Sequence, residues 1–246
     1  MYKYATSILL ALLLLAIGTT PSSAAPKLSI AEKSFDFGFS PQNAKLSHVF
    51  WLKAEGTDSL KILKVVPGCG CTKAPLERNH LAVGDSTRLE IVFSTGKRSG
   101  PASKSPSIKT NAGGPDQRVR FVTNIVTRPD STYPIIISPY KLTLGQFTAK
   151  QRNELSFTIE NVSPGDLTFR LVDLPQDYFD VSLPTTIASQ STAECSLVLT
   201  EVGLTGSFEK SFTIELDDDE RSRFTVPVKH QAAGIGKQVS SMAAPE

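Results

Sequence analysis

Short apolar alternations, broken every few residues by Gly, Pro, Asn or Asp, run along most of this 246-residue chain. Leu89, Ile91 and Phe93 fall on one side of such a segment, with Arg88 and Glu90 on the other. A period of two sends successive side chains to opposite faces, so the segment reads as a half-buried antiparallel strand. No stretch sustains a helical period, and the fold class is all-β. Strands are expected at 35–39, 47–54, 60–66, 87–94, 104–110 and 117–127.

The second half repeats this order. Residues 141–146 answer 35–39, 154–161 answer 47–54, and 167–173 answer 60–66. The pair Ser86-Thr87 before one strand recurs as Ser191-Thr192 before the strand at 194–200, and 208–216 and 222–230 answer the last two. A recurring order of short strands predicts two tandem immunoglobulin-like antiparallel β-sandwich domains, at 26–127 and 133–231. Residues 128–132 read as a short linker, and 232–246, rich in Gly, Ala and Ser, as a disordered tail. The antibody arrangement of two distant cysteines around a Trp is absent, so Trp51 is a core or sheet-surface aromatic. The sandwich reading rests on patterning, with a jelly roll or barrel as the alternatives.

The first 24 residues carry one positive charge, Lys3, then an apolar run from Ile8 to Ile17 and small residues up to Ala24. That order is a secretory signal peptide, with cleavage expected after Ala24. A retained anchor is the competing reading, and no later segment is apolar enough to cross a membrane. Localisation is therefore expected to be periplasmic or extracellular. Losing Lys3 takes the formal charge from +2 to +1. So small a charge leaves no footprint for nucleic acid, and Lys97, Arg98 and Lys104 lack interleaved aromatics.

Chemistry concentrates in Gly68-Cys69-Gly70-Cys71-Thr72. Two thiols one residue apart can ligate a soft ion such as Cu(I), exchange with other thiols, or serve structure as buried thiols or a local disulfide. Zinc needs four ligands, and no second pair is present. His80 is the nearest imidazole in sequence, with His48 and His230 scattered. Cys195 shares the inward phase of Leu197 and Leu199 and is expected in the core. Asp217-Asp218-Asp219-Glu220 reads as a solvated hairpin tip, with a calcium site as the competing reading. Asn161-Val162-Ser163 is a glycosylation sequon. No nucleophile elbow, zincin helix or phosphate loop is present, so a non-enzyme is expected.

Phe35-Asp36-Phe37-Gly38, Gly68-Cys69-Gly70-Cys71-Thr72, Val83-Gly84-Asp85-Ser86 and Thr110-Asn111 follow one another in that order. The series resembles a bacterial family of exported Ig-like domains of unknown function, whose signature runs FDFG, SCGCT, PGE and TN. More distantly it is similar to Hydin-like and major-sperm-protein-like sandwich modules. The resemblance covers Lys27 to Val126, and the second half only in strand order. The chain departs in having Gly68 where the family usually has Ser, and Ala54-Glu55-Gly56 where the family usually shows Asn before Gly. The resemblance implies a fold and a compartment but no activity.

The chain therefore reads as an exported non-enzymatic interaction or assembly module that binds a protein partner through loops or sheet edges. The alternative is a Cu(I)-binding or thiol-redox protein that uses Cys69 and Cys71. The second copy has Leu174-Pro175-Gln176-Asp177 where the first has its thiols, so the fold does not need them to close its core.

Overall fold

The computed structural model describes residues 25–145 and 152–232. The signal peptide expected at 1–24 and nearly all of the tail expected at 232–246 lie outside the described residues. The first half contains β1 (Pro26–Ile30), β2 (Ser34–Pro41), β3 (Lys45–Gly56), β4 (Leu60–Val66), β5 (Thr72–Lys73), β6 (His80–Leu81), β7 (Ser86–Ser94), β8 (Gly100–Lys104), β9 (Ser107–Thr110), β10 (Gln117–Arg118) and β11 (Arg120–Val126). A 3-10 turn at Pro129–Ser131 follows. The second half contains β12 (Ile135–Ser138), β13 (Leu142–Gly145), β14 (Glu154–Asn161), β15 (Leu167–Asp173), β16 (Phe179–Ser182), β17 (Thr186–Ile187), β18 (Thr192–Leu199), β19 (Phe208–Leu216) and β20 (Arg223–Gln231). A five-residue helix, α1 (Glu201–Thr205), is capped by the Thr200 hydroxyl, which accepts from Gly203 N at 3.1 Å.

The internal repeat is visible in the pairing. The sheet β1-β3-β7-β5 is answered by β12-β14-β18-β16, and the pair β4-β6 by β15-β17. The parallel pair β2-β11 is answered by β13-β20. Each half has its own core. Phe37, Phe50, Phe93 and Phe121 are buried in the first, and Phe157, Phe179, Phe212 and Phe224 in the second. Burying a Phe side chain is worth about 1.5–3 kcal/mol, so either core holds a sandwich together. Cys195 sits in the second core, and burial pushes its thiol up to about 11.

Two expected strands of the first half are each divided in two. Of residues 104–110, Lys104 closes β8, which pairs β11, while 107–110 form β9, which pairs β4 and β10. Pro106 lies at the break. It has no N–H to donate, and its carbonyl accepts instead from Val119 N, the residue at which 117–127 divides into β10 and β11. In the second half β19 stays one strand, pairing β20 continuously and β15 with a register shift between Leu171 and Asp173. Patterning also overlooked β1 and β12, two short edge strands. Trp51 lies on the sheet surface, 54% exposed. The acidic run is a hairpin tip, where the Asp218 carboxylate accepts from Ser222 N and Oγ at 2.6 and 2.5 Å. Asn161 is buried and its amide donates to the carbonyls of Gly165, Ile187 and Ala188, which leaves the sequon no accessible nitrogen.

The two sandwiches are joined by a sheet that crosses between them, in the order β17-β15-β19-β20-β2-β11-β8, with β13 also on β20. The crossing point is the parallel register of Phe39 with Phe224. Gly38, at φ +60°, lets β2 approach β20 closely. Thr225 Oγ1 donates to Phe37 O at 2.6 Å, and Arg223 Nη1 to Asp36 O at 3.2 Å. Tyr140, from the second half, donates its hydroxyl to Phe39 O at 2.7 Å. No described helix is long and apolar enough to cross a membrane.

Candidate interaction site

A second seam forms where β3 and β7 of the first sandwich meet β15, β19 and the loop 174–178 of the second. At its base Ser47 and Ser211 are buried and reciprocal: Ser47 N donates to Ser211 Oγ at 2.8 Å, and Ser211 N to Ser47 Oγ at 3.0 Å. Around them Lys210 pairs with Glu90 at 2.5 Å, Arg88 with Asp177 at 3.1 Å, and Lys45 with Glu209. Lys210 also lies 4.7 Å from the centre of the Tyr178 ring. The seam encloses a cleft of about 490 Å³, with Trp51 on its wall.

His48 is the least expected group there. It occupies the inward phase of β3 between Leu46 and Phe50 and is only 7% exposed. Its ring stacks on Phe35 at 3.7 Å and meets Phe50 edge-on. Nδ1 lies 3.0 Å from Asp173 Oδ2 across the seam, and Nε2 lies 3.4 Å from Glu32 Oε2. Burial pulls its pKa down, but the two carboxylates outweigh burial and hold it above its ordinary 6.5. The imidazole is thus a clasp between sandwiches. Sequence reading missed it, although a lone His in the inward phase of an apolar strand was the available signal.

The loop 174–178 has a counterpart in the first sandwich. β4 and β15 each run seven residues, and five residues then lead to β5 and β16 respectively. Thr72 pairs with Phe93 as Phe179 pairs with Leu199. Ser94 N donates to Cys71 O at 2.8 Å as Thr200 N donates to Tyr178 O at 3.0 Å. Cys71 therefore stands where Tyr178 stands, and Val66 where Asp173 stands. In the second sandwich this loop and the strand before it supply Asp173, Asp177 and Tyr178 to the seam. The first sandwich carries the same element, and among the described residues nothing packs on it from the second.

Cys69 and Cys71 are joined in a disulfide. In this bonded state neither sulfur is the thiolate that Cu(I) ligation requires. His80 stays exposed on β6, His48 lies in the seam, and His230 is buried with Nδ1 2.8 Å from Gly206 O. No group of three or more metal-ligating side chains occurs among the described residues. Thr72 is buried, its hydroxyl 3.3 Å from Cys69 Sγ. Thr72 N donates to Cys69 O at 3.2 Å, which closes the turn. Gly68 is in the left-handed region at φ +86°, whereas a Cβ at Gly70 would meet nothing within 4 Å. Cys71 packs on the first core while the glycines and Val66 face outward. The result is a rigid, partly apolar knuckle at the end of β4.

Residues 28–125 match the family model described as "Protein of unknown function (DUF1573)". The match spans the first sandwich, including the knuckle, and less than half of the chain. No curated protein matches. Among solved structures, a protein of unknown function from Porphyromonas gingivalis W83 is 14% identical over 83% of this chain and 99% of its own, with a TM-score of 0.37. The ASH/PapD-like domain of human CEP192 is 12% identical over 46% and 92%, at 0.33. WR4, a C. elegans MSP family member, is 12% identical over 42% and 100%, at 0.31. The sandwich assignment rests on the pairing described above.

Proposed function

We propose that the chain is an exported, non-enzymatic interaction module, and that the Cys69–Cys71 knuckle is the surface it offers to a protein partner. The observation that carries this reading is the repeat itself. One copy of the five-residue element is spent on gripping the neighbouring sandwich, and the other, stiffened by a disulfide, takes no such contact among the described residues. A pre-ordered loop loses little entropy on docking, so binding there costs less than ordering a floppy one. Leu63 and Val66, beside the knuckle, are 51% and 40% exposed. The seam itself suits binding rather than catalysis. Its imidazole is held between two carboxylates, and its two serines bond to each other's backbone.

Quantitative capture from the exported fraction tests the reading, with wild type against Val66→Glu. Recovery of one stoichiometric protein by wild type and its loss with the variant is expected. Equal recovery by both overturns it.

A further inference from the structure

Resting on that reading, we infer that the partner of the knuckle is the outer face of β14, β18 and β16 in a second copy of this chain, so that copies join head to tail. The contact inside the chain supplies the geometry. There, the end of β15 and its loop sit on β3 and β7 of the preceding sandwich. By the repeat, the end of β4 and its loop are built to sit on a β3–β7-type face, and β14–β18 is that face in the second sandwich.

Charge agrees with this assignment. Lys64, Lys73 and Lys109 are exposed beside the knuckle, where β9 lies next to β4, and none has an ion pair among the described residues. The β14–β18–β16 face exposes Glu154, Asp180 and Glu194, likewise without ion pairs among the described residues. Apolar surface agrees too. Val198 is 39% exposed at the middle of that face, paired with Glu154 on one side and Asp180 on the other. An apolar centre ringed by opposite charges is the anatomy of a protein contact, and the charges set its orientation. The signs are reversed relative to the internal seam, where acidic Asp173 and Asp177 meet His48 and Arg88. This reversal disfavours the knuckle competing for the internal site. A heterologous contact of this kind leaves one free end on each copy and therefore propagates.

Sedimentation velocity of the purified full chain tests the inference, with Val66→Glu on the knuckle and Val198→Glu on the receiving face. Both changes are at exposed positions, and circular dichroism checks that the folds are unaltered. Wild type is expected to form a concentration-dependent ladder that shrinks with added salt, and each variant alone to remain a monomer. An equimolar mixture of the two variants retains one intact knuckle and one intact face, so it should give a dimer and nothing larger. Wild type that stays monomeric at every concentration overturns the inference, as does a mixture without dimer. If wild type is monomeric yet still captures another exported protein in a Val66-dependent way, the proposed function stands and only the identity of the partner falls. Loss of both observations removes both.

Discussion

The Cβ that alanine would place at position 38 falls 2.0 Å from the carbonyl oxygen of Arg223. Gly38 belongs to the first sandwich and Arg223 to the second, so this missing side chain lets a single sheet run through both. At φ +60° an L-residue is strained even before the clash. Gly38→Ala should cost at least about 2 kcal/mol. It should also convert one melting transition into two, because each core is intact without the crossing. A calorimetric scan checks this, and an unchanged single transition would contradict it.

The clasp at His48 predicts a pH dependence with a definite sign. Its folded pKa lies above 6.5, so the folded state holds the proton more tightly than the unfolded chain. The contribution is therefore complete below 6.5 and is lost as pH rises through the folded value. The melting temperature of wild type should fall over that window, and His48→Gln should flatten the fall. Asp173→Asn should lower the His48 pKa, read by the ring proton shifts in an NMR titration.

Glu215 is the opposite case. It is 2% exposed, with Arg223 at 2.7 Å and Arg170 and Arg221 around it. Burial raises its pKa, but the guanidinium groups prevail and hold it below the ordinary carboxylate value. Its stabilisation is present above the unfolded pKa and disappears as pH falls through the folded one. Glu215→Gln leaves the three cations short of a partner and should cost about 1–3 kcal/mol by denaturant titration.

The disulfide closes so short a loop that it restricts the unfolded chain little. A Cys69→Ser, Cys71→Ser double variant should lose only on the order of 1–2 kcal/mol. Urea unfolding measures this. A larger loss would mean that the first core depends on the bridge, contrary to the second sandwich, which has none.

The strand order, the tandem repeat and the inward phase of Cys195 were legible because alternation reports which face is buried. The divided strands were not, because Pro106 changes which neighbour each half pairs with and leaves the apolar pattern nearly intact. The seam was illegible for a related reason. The pattern leaves Trp51 as a core or sheet-surface aromatic and His48 as a scattered imidazole, and nothing in it tells that Asp173, 125 residues later, closes over the ring. The comparison of Leu174–Asp177 with the thiol loop was available in the sequence. Its meaning needed the fold, in which one of the two loops is engaged and the other, among the described residues, takes no contact from the second sandwich.

Photo-cross-linking from the knuckle in the host cell is the most direct check on that asymmetry. Position 70 accepts a side chain without a clash, and Val83, exposed at the opposite end of β7, serves as the control. One defined protein adduct is expected from position 70 and none from position 83. No adduct from position 70, or the same adducts from both, would contradict it.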